Sequence, residues 1–107
     1  MAAYRLRWTE PARELLRAID DKRIQDKLLD AANELADSPD MRGRPLVAEL
    51  TGYWSLRWSR YRVLYLIDEK AETVFVVTVG MRHEGKSRDV YELARRLLRR
   101  GLLTPPE

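Results

Sequence analysis

Apolar and polar residues follow two periods along the chain, and the changes between them divide it into elements. Residues 4–8 (YRLRW) alternate between apolar and basic side chains, which predicts a strand with one buried face. Apolar residues then recur at helical spacing over 12–19 and again over 24–35, with an Asp-Asp pair between the two stretches. Thr9 and Asp21 are suitable N-caps for two helices. The sequence therefore predicts a strand followed by an antiparallel pair of helices.

The middle of the chain has the pattern of a sheet. Residues 39–51 contain two prolines and a glycine without a clear period, which predicts a loop. Residues 53–58 and 61–67 alternate, and residues 73–79 form an apolar run typical of a central strand that is covered on both faces. Because only short turns separate these three segments, they predict an antiparallel meander.

A final helix follows the predicted sheet. The chain is expected to leave the sheet after Gly80, with Ser87 as the N-cap and Asp89 in the first helical turn. One apolar stripe at helical spacing defines the buried face of this helix. The stripe consists of Val90, Leu93, Ala94, Leu97 and Leu98. Gly101 is expected to end the helix.

Together these elements describe one α+β domain. The 107 residues have the length of a single domain, and no repeat or linker divides them. The predicted order is β-α-α-β-β-β-α: an antiparallel sheet with a helical hairpin on one face and a C-terminal helix, in a single compact domain over residues 1–107. Residues 101–107 are expected to form a tail. A domain of this size has little core to spare, so we expect its site in a shallow surface groove.

Composition excludes several kinds of site. The chain has no cysteine, which excludes disulfides, thiolate metal sites and cysteine nucleophiles. Its single histidine, His83, disfavours a zinc site made by the protein alone, and we expect neither a metal nor a cofactor. Phosphate-binding glycine loops, serine elbows and paired catalytic carboxylates are also missing from the sequence. The pattern shows neither a signal peptide nor a membrane span, so the expected location is the cytoplasm, without a membrane or small-molecule partner.

The net charge of +3 is unevenly distributed. Residues 1–50 carry nine Lys/Arg and ten Asp/Glu, a balance of −1, whereas residues 51–107 carry eleven and seven, a balance of +4. A basic excess in the second half indicates where a polyanion would bind. An arginine-rich composition alone explains the same excess, so charge leaves both interpretations open.

Basic and aromatic residues gather at one end of the predicted sheet. Arg62 lies near the start of one strand and Arg82 at the end of the next, and these ends are neighbours in an antiparallel hairpin. Arg57 ends the preceding strand, and Tyr91 lies near the start of the final helix. The candidate site residues at this end and in the loop beside it are Arg57, Arg60, Arg62, Arg82, His83, Lys86, Arg88 and Tyr91.

These residue types suit a phosphodiester substrate. Guanidinium groups bind phosphate oxygens through two parallel hydrogen bonds and stabilise the added negative charge of a pentacoordinate transition state. A tyrosine can transfer a proton or stack on a base. RNA carries its own nucleophile in the 2′-hydroxyl, so such a site needs neither a protein nucleophile nor a metal. Taken singly, each arginine is more often an ordinary solvated residue, and Tyr91 and His83 also have structural explanations.

Three segments resemble the RelE/ParE superfamily of toxins from type II toxin–antitoxin systems. Residues 56–65 (LRWSRYRVLY), 79–83 (VGMRH) and 89–91 (DVY) are similar to the family pattern L-R … Y-R-apolar-apolar-Y, then V-G-x-R, then V-Y at a final helix. No single segment is specific, but the three occur in order at suitable separations. The resemblance extends over about residues 4–98 and favours the RelE-like branch and its fold.

The resemblance implies a metal-independent, ribosome-dependent endoribonuclease, or mRNA interferase. Such a toxin enters the A site of the 30S subunit and cleaves mRNA by attack of the 2′-hydroxyl on the adjacent phosphate. By position, Arg62 corresponds to the arginine that stabilises the transition state and Arg82 to a second phosphate-binding arginine. Tyr91 corresponds to the tyrosine that stacks on or orients the nucleotide. The resemblance also implies a small, acidic antitoxin that covers the basic surface.

The sequence departs from the family pattern in two places. The lysines that RelE carries on the strand matched by residues 53–57 are missing, and Arg57 or Lys86 is a candidate replacement. Residues 84–87 also form a longer insertion before Tyr91. These departures raise His83 as a candidate for proton transfer, ranked below Arg62, Arg82 and Tyr91.

Two alternatives to the nuclease remain. One is a ParE-like inhibitor of DNA gyrase with the same fold, and the other is a catalytically inactive, protein-binding homologue. The joint presence of Arg62, Arg82 and Tyr91 favours the nuclease over the gyrase inhibitor, because that branch generally lacks the set. The missing lysines keep the inactive homologue open.

Overall fold

One strand and two helices open the fold in the computed structural model, which describes residues 3–103. Strand β1 (Arg5–Trp8) is followed by helices α1 (Glu10–Arg17) and α2 (Lys22–Asn33). The Thr9 hydroxyl accepts a hydrogen bond from the Ala12 amide at 3.3 Å, and the Asp21 carboxylate accepts from the first amides of α2. Both predicted N-caps are therefore confirmed.

The sheet contains four further strands. They are β2 (Arg44–Pro45), β3 (Trp54–Trp58), β4 (Tyr61–Asp68) and β5 (Thr73–Met81), and the strand order is β1-β5-β4-β3-β2. The antiparallel meander β3-β4-β5 is confirmed. The expectation of a wholly antiparallel sheet is corrected, because β1 pairs with β5 in parallel. Alternation of apolar residues reports which face of a strand is buried, but not the direction of its neighbour.

Residues 39–51 contain structure that the sequence pattern did not predict. Instead of a plain loop they form helix α3 (Pro39–Arg42), strand β2 and a 3₁₀ turn (Ala48–Leu50). Tertiary contacts hold them: the Tyr65 hydroxyl donates to the Pro39 carbonyl at 2.7 Å. The Leu46 amide likewise donates to the Tyr53 carbonyl at 2.8 Å.

Helix α4 (Val90–Arg99) completes the fold, and its start corrects the sequence analysis. Asp89, and not Ser87, is the N-cap, because its carboxylate accepts from the Tyr91 amide. Strand β5 also continues one residue past Gly80. Gly101 follows the helix with φ +74°, as expected of a terminating glycine. Residues 104–107 of the predicted tail lie outside the described residues. Among the described residues, no helix is long and apolar enough to cross a membrane.

Hydrophobic side chains pack on both faces of the sheet. Helices α1 and α2 cover one face, where Val63 and Tyr65 of β4 are buried. Helix α4 covers part of the other face, where Leu64 is buried. Side chains alternate along a strand, so Arg62 lies on the same face as Leu64. The α+β class predicted from the sequence is confirmed, with α3, β2 and the 3₁₀ turn added to the predicted order, and Arg62 lies on the face that α4 partly covers.

Candidate functional site

A shallow groove of about 540 Å³ opens on the α4 face, between the edge of the sheet and the start of α4. We call it the arginine groove. Its charged or hydroxyl-bearing lining residues are Arg42, Arg44, Ser55, Arg57, Arg62 and Tyr91. It contains three of the predicted site residues, Arg57, Arg62 and Tyr91, which come from β3, β4 and α4.

Strand register explains how the arginines meet. Arg57 lies directly opposite Arg62 in the β3–β4 pair. Their guanidinium groups both approach the Ser59 carbonyl, at 3.4 and 3.3 Å, and Arg62 also donates to the Tyr61 carbonyl at 3.0 Å. No carboxylate among residues 3–103 forms a salt bridge with either arginine. Like charges directly opposite one another repel, so an anion placed between these arginines is stabilised.

Tyr91 is held at both ends of its side chain. Its hydroxyl lies 2.9 Å from the hydroxyl of Ser55, a buried residue of β3. The guanidinium carbon of Arg82 lies 5.0 Å from the centre of the tyrosine ring, within the range of a cation–π interaction. The ring therefore forms one wall of the arginine groove, and its face also contacts the Arg82 guanidinium.

Asp89 connects Arg82 to the start of α4. Asp89 is buried, with 2% of the whole residue exposed, and its carboxylate accepts from the Arg82 guanidinium at 2.6 Å and from the His83 and Tyr91 amides at 2.7 and 3.0 Å. Burial acts to raise the pKa of Asp89, but the hydrogen bonds from Arg82 and the two amides together lower it below its usual value. The hydrogen bond to Asp89 in turn raises the pKa of Arg82. The pair therefore stays ionised at neutral pH.

The remaining predicted site residues fall in three places. Arg60 and His83 line a second hollow at the β3–β4 turn, together with Arg57, Arg62 and Arg82. Lys86 lines a third hollow beside Arg82 and Asp89. Arg88 is exposed and lines neither the arginine groove nor these hollows. The structure thus brings together all of the predicted set except Arg88, with Lys86 at the margin.

Sequence reasoning missed four residues of this site, which are Arg42, Arg44, Ser55 and Asp89. Arg44 lies in a segment without periodicity, and only its pairing with Ser55 in β2–β3 places it in the groove. Ser55 shares a face of β3 with Arg57, and this two-residue spacing was the available signal. Asp89 was expected to favour the helix N-terminus, but nothing in the sequence indicated that it binds Arg82.

The groove offers many donors and few groups that can accept a proton. Arginines supply fixed N–H donors for an anion, whereas the nearest buried carboxylate, Asp89, is already occupied by three donors. Within residues 3–103 no group of three or more His, Asp and Glu side chains is arranged to hold a metal ion. The arrangement suits binding of a phosphate group and stabilisation of charge that develops on it.

Comparison with known proteins gives a family and a closely similar toxin. A family model described as the ParE toxin of the type II toxin–antitoxin system parDE matches residues 6–85. This region includes Arg57, Arg62 and Arg82 but ends before Tyr91. Toxin RelG of Mycobacterium tuberculosis is 34% identical over 79 residues, which cover 74% of this chain and 91% of RelG.

Solved structures give the same result. The chain matches a RelBE toxin–antitoxin complex from Mycobacterium tuberculosis with 36% identity and a TM-score of 0.72, over 77% of this chain and 94% of the other. It matches the toxin–antitoxin complex RelBE of Escherichia coli with 27% identity and a TM-score of 0.59, over 77% and 100%. Isolated Escherichia coli RelE, at 23% identity and a TM-score of 0.66 over 90% and 99%, shares the fold.

Proposed function

This chain belongs to the RelE/ParE superfamily of toxins of type II toxin–antitoxin systems, and from that premise we propose that it is a ribosome-dependent mRNA endoribonuclease. The observation that carries the proposal is the arginine groove. In it Arg57 and Arg62 oppose each other without a carboxylate partner among the described residues, and Tyr91 forms the adjacent wall. This combination provides an anion site next to a ring on which a base can stack.

The proposed reaction uses the substrate's own nucleophile. The 2′-oxygen of a ribose bonds to the adjacent phosphorus as its proton leaves, the bond from phosphorus to the 5′-oxygen breaks, and the 5′-oxygen takes up a proton. The products are a 2′,3′-cyclic phosphate and a 5′-hydroxyl. Arg62 and Arg82 stabilise the charge on the phosphoryl oxygens, and Arg57 replaces one of the missing lysines. Tyr91 stacks on or orients the nucleotide, and His83 is the candidate for proton transfer.

We place this activity on the ribosome, in the A site of the 30S subunit. A site with few proton-transfer groups gains most when another molecule holds the attacking oxygen in line with the leaving group. The ribosome supplies such an ordered mRNA. Robust cleavage of naked RNA at low protein concentration would contradict this part of the proposal.

We further propose that a small, acidic antitoxin binds the basic surface of this chain. Support comes from the similar solved structures, which include two toxin–antitoxin complexes described above. The groove arginines that form no salt bridge among residues 3–103 attract acidic side chains for the same reason that they attract phosphate. Purification of the chain together with the product of the adjacent reading frame tests this, and failure to recover a small acidic protein counts against it.

The experiment that tests the nuclease is induction in a bacterial host with transcript ends mapped. Three chains are compared: wild type, the Arg62→Ala/Arg82→Ala variant, and a control, Arg13→Ala/Arg23→Ala, which removes the same charge from exposed positions on α1 and α2. Loss of one transition-state donor typically costs a factor of about 10²–10³ in rate. We expect new 5′ ends inside translated codons with wild type and control, and none with the Arg62/Arg82 variant.

Gyrase inhibition is the second candidate, because the matching family model is described as a ParE toxin. It predicts growth arrest with intact transcripts and loss of supercoiling when purified protein is added to gyrase. Unchanged growth, transcripts and supercoiling would instead indicate the inactive, protein-binding homologue.

A further inference from the structure

We propose that Asp89 is a positioning residue that fixes the Arg82 guanidinium against the Tyr91 ring before RNA binds. This role rests on the proposed nuclease function and deepens it. One oxygen of the carboxylate, Oδ1, accepts from Arg82 Nη1 at 2.6 Å and from the His83 amide at 2.7 Å. The other oxygen, Oδ2, accepts from the Tyr91 amide at 3.0 Å. A single side chain thus links the end of the sheet to the helix that carries Tyr91.

The contacts of Asp89 leave Arg82 available to a substrate. Arg82 uses Nη1 for the carboxylate, and its side chain is one-third exposed, so further N–H donors of the guanidinium remain free. The Asp89 side chain itself is 3% exposed, and solvent therefore screens the attraction between the two charges only weakly. Without this anchor the long arginine side chain would sample several rotamers, and the ordering would have to occur when RNA binds.

The carboxylate does more than cap α4. An N-cap needs one acceptor oxygen, and asparagine or serine provides it about as well as aspartate. Asp89 instead faces donors on both sides, with Arg82 and the His83 amide on one and the Tyr91 amide on the other. In asparagine the amide nitrogen would replace one acceptor with a donor. Asp89→Asn therefore removes the negative charge and cannot satisfy both sides at once, whereas Asp89→Ser offers the cap one neutral oxygen on a shorter side chain.

The experiment combines a double-mutant cycle with a measurement that needs no RNA. Asp89→Asn, Arg82→Ala and the double variant are compared in single-turnover cleavage on programmed ribosomes, and Asp89→Ser is measured beside them as a shorter neutral cap. Glu92→Gln is the matched control, since it also removes a carboxylate from the first turn of α4 but one that pairs with Arg95. In the proteins without RNA, NMR measures the change in chemical shift that the Tyr91 ring causes in the Arg82 guanidinium protons.

We expect Asp89→Asn to lower the cleavage rate by about tenfold or more with little change in ribosome affinity, since positioning acts on the reacting complex. In the Arg82→Ala background the same change should have little further effect, because the two residues act as a unit. The ring-induced shift should be lost in Asp89→Asn and kept in Glu92→Gln.

Four outcomes would overturn the proposal. Cleavage by Asp89→Asn at the wild-type rate, or equal losses with and without Arg82, would show that Asp89 acts only on the helix. A ring-induced shift that persists in both Asp89→Asn and Asp89→Ser would show that Arg82 stays in place without the carboxylate, whatever the activity. Absence of cleavage by wild type overturns the proposed function itself, and this role with it.

Discussion

The arginines of the site differ in what they already bind. Arg82 is paired with the buried Asp89, and Arg42 contacts two carboxylates of the preceding segment. Arg57 and Arg62 contact only backbone carbonyls among the described residues. A positive charge that is not already neutralised attracts phosphate more strongly. Among residues 3–103, Arg44, Arg57 and Arg62 are the groove arginines that form no salt bridge, so their charges are the ones available to phosphate, whereas the Arg82 guanidinium is held in one orientation.

Tyr65 provides a prediction for stability at alkaline pH. Burial, together with the nearby Asp40 carboxylate, raises the pKa of the Tyr65 hydroxyl to about 12, although a backbone hydrogen bond from Gly43 opposes the shift. The unfolded chain ionises this hydroxyl near pH 10. The stability that the raised pKa gives the folded state is therefore fully present below pH 10 and is lost as pH rises toward 12. Two pKa units correspond to about 2.7 kcal/mol. We expect the free energy of unfolding to fall by about 2–3 kcal/mol more in wild type than in Tyr65→Phe over this interval.

Denaturant unfolding of both proteins at several pH values between about 8 and 12 measures the effect. At neutral pH, Tyr65→Phe should already be less stable by about 1 kcal/mol, because the hydrogen bond to Pro39 is lost. Parallel pH curves for the two proteins would show that Tyr65 does not titrate between the folded and unfolded states.

At the scale of elements, Gly43 determines how closely α3 and β2 lie against β3 and β4. A Cβ atom at this position would clash with the Tyr65 hydroxyl and lie 2.7 Å from the Ser55 carbonyl oxygen. Gly43→Ala must therefore push the segment outward, and overpacking of this kind costs about 1–3 kcal/mol. We also expect weaker RNA binding, because the adjacent Arg44 moves away from Ser55 and the groove.

Gly80→Ala is the control for this substitution. Its Cβ would lie 3.5 Å from a methyl group of Val90, which is an ordinary contact, so this variant should unfold close to wild type. Thermal unfolding and binding to a non-cleavable RNA are measured for both variants. If Gly43→Ala were as stable as Gly80→Ala, the segment that contains α3 and β2 would be able to move away from β3 and β4 without loss of stability.

The elements that could be predicted from sequence are those with a period of their own. Thr9 and Asp21 are each followed by a run of apolar residues at helical spacing. The cap residue and the spacing therefore predicted the same helix start. The segment around Pro39 and Leu46 has no such period, and its short elements form through contacts with Tyr65 and Tyr53 that the local sequence does not contain. For the same reason Arg44 was not placed in the site.

The start of α4 shows how a tertiary contact decides between two local signals. Ser87 and Asp89 are both suitable N-cap residue types. Arg82 and the His83 amide bind Asp89, and this interaction sets the first residue of the helix. By contrast, the meeting of Arg57, Arg62 and Arg82 was predictable, because it follows from the ends of neighbouring antiparallel strands.

For the whole molecule, the two faces of the sheet differ in how much helix covers them. Helices α1 and α2 bury one face, where the larger of the two hydrophobic clusters lies. Helix α4 packs on the other together with Leu50, Tyr53 and Leu103, and the arginine groove opens beside it, where β2 and β3 form the edge of the sheet. Two arginines from each half of the sequence thus line one accessible side of the domain: Arg42 and Arg44 from the first half, and Arg57 and Arg62 from the second. A polyanion should bind that side through its backbone, in a salt-dependent manner.

The salt dependence of RNA binding tests whether RNA binds on this side of the domain. Each phosphate contact to a single strand contributes about 0.7 to the slope of log affinity against log salt concentration, so Arg44→Ala/Arg57→Ala should reduce the slope by about 1.4. Arg13→Ala/Arg23→Ala changes the net charge of +3 by the same amount but lies on the exposed side of α1 and α2, so its slope should stay close to wild type. Binding is measured by fluorescence anisotropy with a 2′-O-methyl RNA, which cannot be cleaved because its 2′-hydroxyl is blocked. Equal reductions in the two variants would mean that total charge, and not the groove, determines where RNA binds.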